Sequence, residues 1–190
     1  MLLPTFGVWA DALPVETRRL VLRAPVFDDV PRIALYAGDP RVARMVAAVP
    51  HPYSQAHASA FVGDMIATNQ SGTGLALAVA RRREQAALVG LISFTLQTPA
   101  TATIGWWFGP PYWGRGFATE AVEAAIRLAF LNPAVDRLTA GAFADNPASL
   151  RVQDKLGFAR AGVSERNSLA RGGMVAHVDT VLTRPGFEAR

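Results

Sequence analysis

The chain has 190 residues, 51% of them hydrophobic and 18% charged, which is enough to bury one sizeable core within the usual size of a single domain. Mean hydropathy is +0.19, but the apolar residues come in short runs broken by Arg, Gly, Pro and Asp, so no stretch reaches the ~20 residues that span a bilayer. The absence of cysteine excludes disulfides, thiolate metal sites and a cysteine nucleophile. His51, His57 and His177 are far apart and in no ligand spacing, so no metal is expected and each reads as an ordinary core or surface residue. Net charge is +4 and the pI near 10.3, and of the 19 basic residues only Lys155 is a lysine. The one dense run, Arg81-Arg82-Arg83, stands before Glu84-Gln85 and reads as a solvated hairpin turn, not as a nucleic-acid stripe.

Residues 1–15 read as a lead whose apolar patch, Leu2, Leu3, Phe6, Val8 and Trp9, has no basic residue ahead of it. That pattern is not a secretory signal, so cytoplasmic residence is expected, with one domain over residues 16–190. Arg19-Leu20-Val21-Leu22-Arg23 has the period of a half-buried strand. Asp28 is placed to cap a helix beginning Asp29-Val30-Pro31, and Asp39-Pro40 starts a second short one. After the break at Pro50-His51-Pro52-Tyr53, Ser54 opens a longer helix with Ala58, Phe61 and Met65 on one face, ending near Asn69 and Gly72.

Three strands follow, Leu75 to Arg81, Leu88 to Leu96 and Thr101 to Phe108, and their short separators imply antiparallel neighbours. Gly109-Pro110-Pro111 stops the third. A helix then carries Ala118, Ala121, Val122, Ala125 and Ala129 inward and Glu120, Glu123 and Arg127 outward, and Asn132-Pro133 ends it. Leu138 to Phe143 reads as a strand, and Asp145-Asn146-Pro147 as a helix start that stops at Leu156-Gly157-Phe158. The tail suits two closing strands joined at Arg171-Gly172-Gly173.

The chemistry concentrates where a strand, a glycine loop and a helix start follow one another, from Phe108 to Glu120. Gly114 and Gly116 let successive backbone N–H groups turn into one concavity, and the helix behind adds its positive dipole end. A pyrophosphate fits such a nest, with Arg115 adding charge at its edge and Ala118 keeping the approach open. The Gly-Lys-Ser/Thr of a P-loop and the G-x-G-x-x-G of a dinucleotide fold are both missing.

The segment from Gly105 to Ala121 resembles the acetyl-CoA segment of GNAT acetyltransferases, in the RimJ/RimL-like branch. Asn146 to Phe158 is similar to that branch's other motif, an asparagine-started helix ending in Leu-Gly-Phe, and Glu16 to Arg23 resembles its first strand. The resemblance implies an α/β (α+β) fold with a mixed, mostly antiparallel sheet flanked by helices and split between the strands ending at Phe108 and Phe143. It implies acetyl-CoA as donor and an amine as acceptor, a protein N-terminus or a small molecule, in a monomer or homodimer. The pantetheine arm would pair with backbone around Trp107 and Phe108. The pyrophosphate would rest on Gly114, Arg115, Gly116, Phe117, Ala118 and Thr119, and Asn146 would hydrogen-bond the arm. Asn146 also suits a plain helix cap, and Trp106-Trp107 a plain core pair.

Ser149 matches the serine that some members use towards the leaving thiolate, and it suits helix-start hydrogen bonding as well. Two departures stand out: Gln153 replaces a frequent tyrosine acid, and Thr103 a frequent central-strand glutamate. By position, Asp145 and Glu165 are the candidate bases. Loss of the usual acid and base also suits a catalytically silent acyl-CoA-binding regulatory module. Acceptor specificity is expected in the helices after the first strand and in the loop from Ser164 to Val175.

Overall fold

The computed structural model describes residues 9 and 11–189. The lead residues Leu2, Leu3, Phe6 and Val8 lie outside that range, whereas Trp9 is buried with its ring centroid 5.8 Å from that of Phe94. The strands are β1 (Val15–Glu16), β2 (Leu20–Arg23), β3 (Gly74–Arg81), β4 (Glu84–Thr98), β5 (Thr101–Phe108), β6 (Arg137–Phe143), β7 (Ala159–Ser168) and β8 (Gly173–Thr183). They form one sheet in the order β1-β2-β3-β4-β5-β6-β8-β7. Every pairing is antiparallel but one, with tight turns joining β3 to β4, β4 to β5 and β7 to β8. β5 and β6 run parallel, and the long crossover that a parallel pair requires is supplied by a whole helix, α4 (Phe117–Ala129).

That parallel pairing is brief. It covers Thr101↔Arg137, Ala102↔Leu138 and Thr103↔Thr139, with the Thr103 and Thr139 hydroxyls 2.8 Å apart at its end. β5 then continues to Phe108 held only by β4, and β6 to Phe143 held only by β8. The sheet is therefore split where the resemblance implied.

Each face has its own core. Leu22, Ile92, Ile104 and Leu138 pack with α4, and Leu156, the C-cap of α5 (Pro147–Lys155), joins them. On the other face Leu91 and Trp107 pack under α1 (Val30–Ala37) and α3 (Gln55–Ser71) through Ile33, Tyr36, Val62 and Met65. Each fully buried aliphatic side chain of this kind contributes about 2 kcal/mol. Between those helices lies α2 (Pro40–Ala43), started as read by the Asp39 carboxylate, which accepts from the Arg41 amide. Ser54 likewise accepts from the His57 amide to open α3. A last short helix, α6 (Arg184–Glu188), had no signal in the reading above. No helix among the described residues is long and apolar enough to cross a membrane.

The cap assigned to Asp28 is corrected. Phe27–Asp29 forms a 3-10 turn ahead of α1, and neither Asp28 nor Asp29 caps the helix by its side chain. The Asp29 carboxylate is instead fully buried and takes both guanidinium nitrogens of Arg23, at 2.7 and 2.8 Å, together with the Val26 amide at 3.0 Å. A buried charge satisfied from three donors fastens the end of β2 to the start of α1. Arg23→Leu would leave that carboxylate unpaired and should cost about 3 kcal/mol in urea unfolding, the cost of removing one partner of a buried pair. A loss under 1 kcal/mol would show that the pair is not a fastening.

Candidate functional site

The glycine loop leaves β5 through Gly109 and the 3-10 turn Pro110–Tyr112 and enters α4 at Gly116. Gly114 and Gly116 both have left-handed φ, +71° and +74°, which side chains resist. A Cβ added to Gly114 would meet nothing within 4 Å, so the concavity opens outward. Gly116, the N-cap, provides no side-chain acceptor, so the first N–H groups of α4 at Phe117, Ala118 and Thr119 lack a capping partner. Uncapped amides beside an open nest at a helix's positive end are suited to an anion such as a pyrophosphate. Phe117 is buried and anchors the turn, while Arg115 is exposed.

A long-range clamp holds the loop. The Arg19 backbone amide and Nε donate to the two carboxylate oxygens of Glu120 at 2.8 and 2.6 Å, and the Thr17 hydroxyl adds a third bond at 2.6 Å. Arg19 Nη1 then donates to the Arg115 carbonyl at 2.8 Å, and the guanidinium lies 4.6 Å from the centre of the Phe117 ring. Glu120, read from the sequence as an outward residue, is thus half-buried and shared between β2 and the loop. Burial pushes its pKa up, but the bonds from Thr17 and Arg19 outweigh that and hold it below the usual glutamate range.

Inside the split, the Gly109 amide bonds the Val89 carbonyl of β4, so by strand alternation the Trp106 and Phe108 amides face β6. The Trp113 indole donates to the Phe108 carbonyl at 2.7 Å and ties the loop to the strand end. The expectation for Trp107 is corrected: its side chain is buried in the second core and, by the same alternation, its amide and carbonyl are turned to β4, so Trp106 and Phe108 are the positions whose amides face the split. Asn146 caps α5, its Oδ1 accepting from the Ser149 amide at 3.1 Å, and its Nδ2 has no partner among the described residues. Gln153 is fully buried and part of a relay: the Thr180 hydroxyl donates to its Oε1 at 2.7 Å, and its Nε2 donates to Ser149 Oγ at 3.3 Å. With Oγ already accepting, the Ser149 proton is free to point outward.

The opposite face of the split is nearly bare. Gly105 on β5 is exposed, and a Cβ there would meet only Ser93 Oγ at 3.9 Å. Across from it, Gly141 on β6 is overlain by the imidazole of His177, whose Nδ1 lies 2.9 Å from Asp179 Oδ1. Arg171 bridges the β7–β8 turn to the segment after α2: it takes both oxygens of Asp145 at 3.0 Å and donates to the Arg44 carbonyl at 2.7 Å. Of the two candidate bases, Asp145 is held below the ordinary carboxylate range chiefly by its Arg171 hydrogen bonds, and Glu165 is exposed on β7. Both findings work against a base role. The reading missed the Arg19–Glu120 clamp, Thr180 and the His177–Asp179 pair. The spacing His177-Val178-Asp179 on a strand was the available signal for the last, since alternation puts both side chains on one face.

The chain belongs to the GNAT acetyltransferases: the acetyltransferase (GNAT) domain family matches residues 19–159. Among similar proteins, the uncharacterized N-acetyltransferase YoaA of Bacillus subtilis is 30% identical over 151 residues, 78% of this chain and 84% of that one. The N-acetyltransferase p20 of Bacillus licheniformis is 26% identical over 162 residues, 84% and 89% of the two chains. Solved structures with the same fold include Mycobacterium smegmatis RimJ in complex with CoA-disulfide, at 18% identity and TM-score 0.76 over 87% of this chain and 82% of that one. The microcin C7 self-immunity acetyltransferase MccE in complex with acetyl-CoA and AMP, at 19% identity and TM-score 0.77, covers 88% and 93%.

The clamp predicts a pH signature. A carboxylate whose folded pKa is depressed stabilises the fold above its unfolded pKa, and that contribution is lost as pH falls through the folded value. Glu120→Gln should therefore cost about 2 kcal/mol at neutral pH, as for lost hydrogen bonds to a charged group. The gap between variant and wild type in denaturant unfolding should close below about pH 4. A gap that stays constant with pH would mean that the charge of Glu120 is not what holds the loop.

Proposed function

We propose that this chain transfers an acetyl group from acetyl-CoA to a primary amine, of a protein N-terminus or a small molecule, by direct attack within a ternary complex. The observation that carries the reading is the split between β5 and β6 with an open anion nest at its mouth. Together they offer a slot with free strand amides for an extended amide-bearing arm and a cradle for its diphosphate. The complexes of MccE with acetyl-CoA and AMP and of RimJ with CoA-disulfide, on the same fold, support the donor.

In this reading the amides of Gly114 to Thr119 receive the pyrophosphate, and Arg115 adds charge at the edge. The free backbone amides of Trp106 and Phe108, which face β6, pair with the pantetheine arm and stabilise the oxyanion that forms on attack, and Asn146 Nδ2 donates to the arm. Ser149 donates towards the departing thiolate. The Thr180–Gln153 relay fixes the direction of that hydroxyl, so Gln153 orients the donor in place of acting as an acid itself. A serine hydroxyl has a high pKa, so the role is hydrogen-bond donation to a growing negative charge.

Two measurements test this. Acetyl-CoA at 100 times its Kd should stabilise the fold by about 2.7 kcal/mol, seen as a raised Tm, with smaller effects from NAD and ATP. Gly116→Val should remove most of the shift, read against its own ligand-free Tm because a β-branched residue also strains a left-handed position. Equal shifts from all three nucleotides would defeat the donor assignment. In thiol release with a panel of peptide, polyamine and aminoglycoside amines, Ser149→Ala should lower turnover by about 10- to 1000-fold with acetyl-CoA affinity kept. Unchanged turnover would reduce Ser149 to a helix-start residue, and release with no amine of the panel would favour a silent acyl-CoA-binding module.

A further inference from the structure

We propose that His177, oriented by Asp179, is the general base that takes the proton from the acceptor ammonium; this deepens the acetyltransferase reading and rests on it. The split has two faces. Leu138 and Ala140 of β6 and Ile104 of β5 point to the α4 and α5 side, where Ser149 lies. Alternation therefore directs Thr103, Gly105, Thr139, Gly141 and Phe143 to the other side. On β8, His177 pairs with Phe143 and Asp179 with Gly141, so both side chains share that second face.

The imidazole is held in one orientation. Its Nδ1 meets Asp179 Oδ1 at 2.9 Å, and a carboxylate at that nitrogen selects the Nδ1–H tautomer, which leaves Nε2 as an acceptor. A Cβ built on Gly141 would stand 3.0 Å from Nε2 and closer still to Cε1, so only glycine there lets the ring lie across β6. Gly141 is two residues beyond Thr139, the last residue paired with β5. The ring thus reaches over the open part of the split, and Gly105 leaves the facing strand bare. The Phe143 ring backs the imidazole edge-on at 6.0 Å. The His177 side chain is 16% exposed, shielded but open to an incoming amine.

The charged groups around it favour this role. Asp179 and, from β7, Arg166, whose Nη2 is 3.5 Å from Asp179 Oδ1, are its neighbours. Arg171 and Asp145, with Arg44 beside them, form an ion-pair group whose Arg171 guanidinium lies 4.9 Å from the centre of the Phe143 ring. Burial pushes Asp179 up, but interaction with the Ser164 hydroxyl and then hydrogen bonding from His177, with the nearby Arg166 charge, hold it below the usual carboxylate range, so it remains the anion that positions the ring. Base and acid then work from opposite faces of the sheet. His177 Nε2 takes one proton from R–NH3⁺, and the neutral nitrogen attacks the thioester carbonyl carbon. The C–N bond forms, the C–S bond breaks, and the thiolate gains the second nitrogen proton by way of the Ser149 side. The His177 proton passes to solvent, giving amide, thiol and one H⁺.

Two measurements on the full chain keep this inference distinct from the reading beneath it. Histidine side-chain ¹⁵N spectra need no acceptor: with His177→Gln identifying the resonance, the wild type should show a neutral Nδ1–H tautomer. Asp179→Asn should weaken that preference, and an Nε2–H tautomer in the wild type overturns the proposal. In kinetics with acetyl-CoA and the tripeptide amide Ala-Ala-Ala-NH2, His177→Gln should lower kcat/KM about 100-fold at neutral pH, the scale of a lost general base, with acetyl-CoA Kd within about twofold. The deficit should shrink above about pH 8, where the α-amine arrives already neutral, and Asp179→Asn should show part of the same pattern. No loss, or a loss equal at every pH, overturns the proposal. Failure of the wild type to bind acetyl-CoA would strike the acetyltransferase reading, while the spectra would still report on the pair.

Discussion

The short pairing of β5 with β6 is the constraint on which the molecule turns. Two adjacent strands normally satisfy each other's backbone along their length, and leaving them apart exposes donors and acceptors that a fold cannot readily leave unmet. In this protein each strand is kept straight by its other neighbour: β4 pairs with β5 as far as Phe108, and β8 with β6 as far as Phe143. The split is thus a stable opening built from complete outer pairings, with free amides along one side. Its closed end is fixed by the Thr103–Thr139 hydroxyl contact.

What stands at the mouth of that opening depends on a distant element. Besides the Trp113 and Phe117 anchors, the nest is braced by Arg19, which binds the Arg115 carbonyl while its own backbone and side chain grip Glu120. The carboxylate spends its charge on β2 and Thr17, and so leaves the helix N-terminus in front of it for an external anion. Fold and candidate binding site share one set of bonds, so an alteration at residue 19 or 120 reaches both.

In the proposed reaction the sheet would also separate chemical tasks by face. On the α4 and α5 side a buried chain of hydrogen bonds, Thr180 to Gln153 to Ser149, directs one hydroxyl. On the other side the floor is glycine and threonine, bordered by an imidazole with a carboxylate behind it and roofed at one end by the Arg171–Asp145 bridge. A donor entering along one face and an acceptor along the other would meet in the gap between strands. A buried glutamine at residue 153 is consistent with this division, because it can orient a neighbouring hydroxyl.

Much of this was legible in the sequence wherever neighbours along the chain decide the conformation. Alternation marked the strands, Asp39, Ser54 and Asn146 marked helix starts, and Gly114 and Gly116 marked the nest, because each depends on backbone preferences within a few residues. The resemblance added the place of the split. What only the tertiary structure decided are the pairs whose partners lie far apart or whose meaning depends on register. Asp29 looked like the first residue of a helix and is a buried counter-ion of Arg23; Glu120 looked solvated and clamps Arg19, 101 positions away. His177 looked ordinary until β8 settled beside β6 in the register that lays its ring over Gly141. Local sequence sets which way a side chain leaves the backbone, but only the packed sheet sets what it meets.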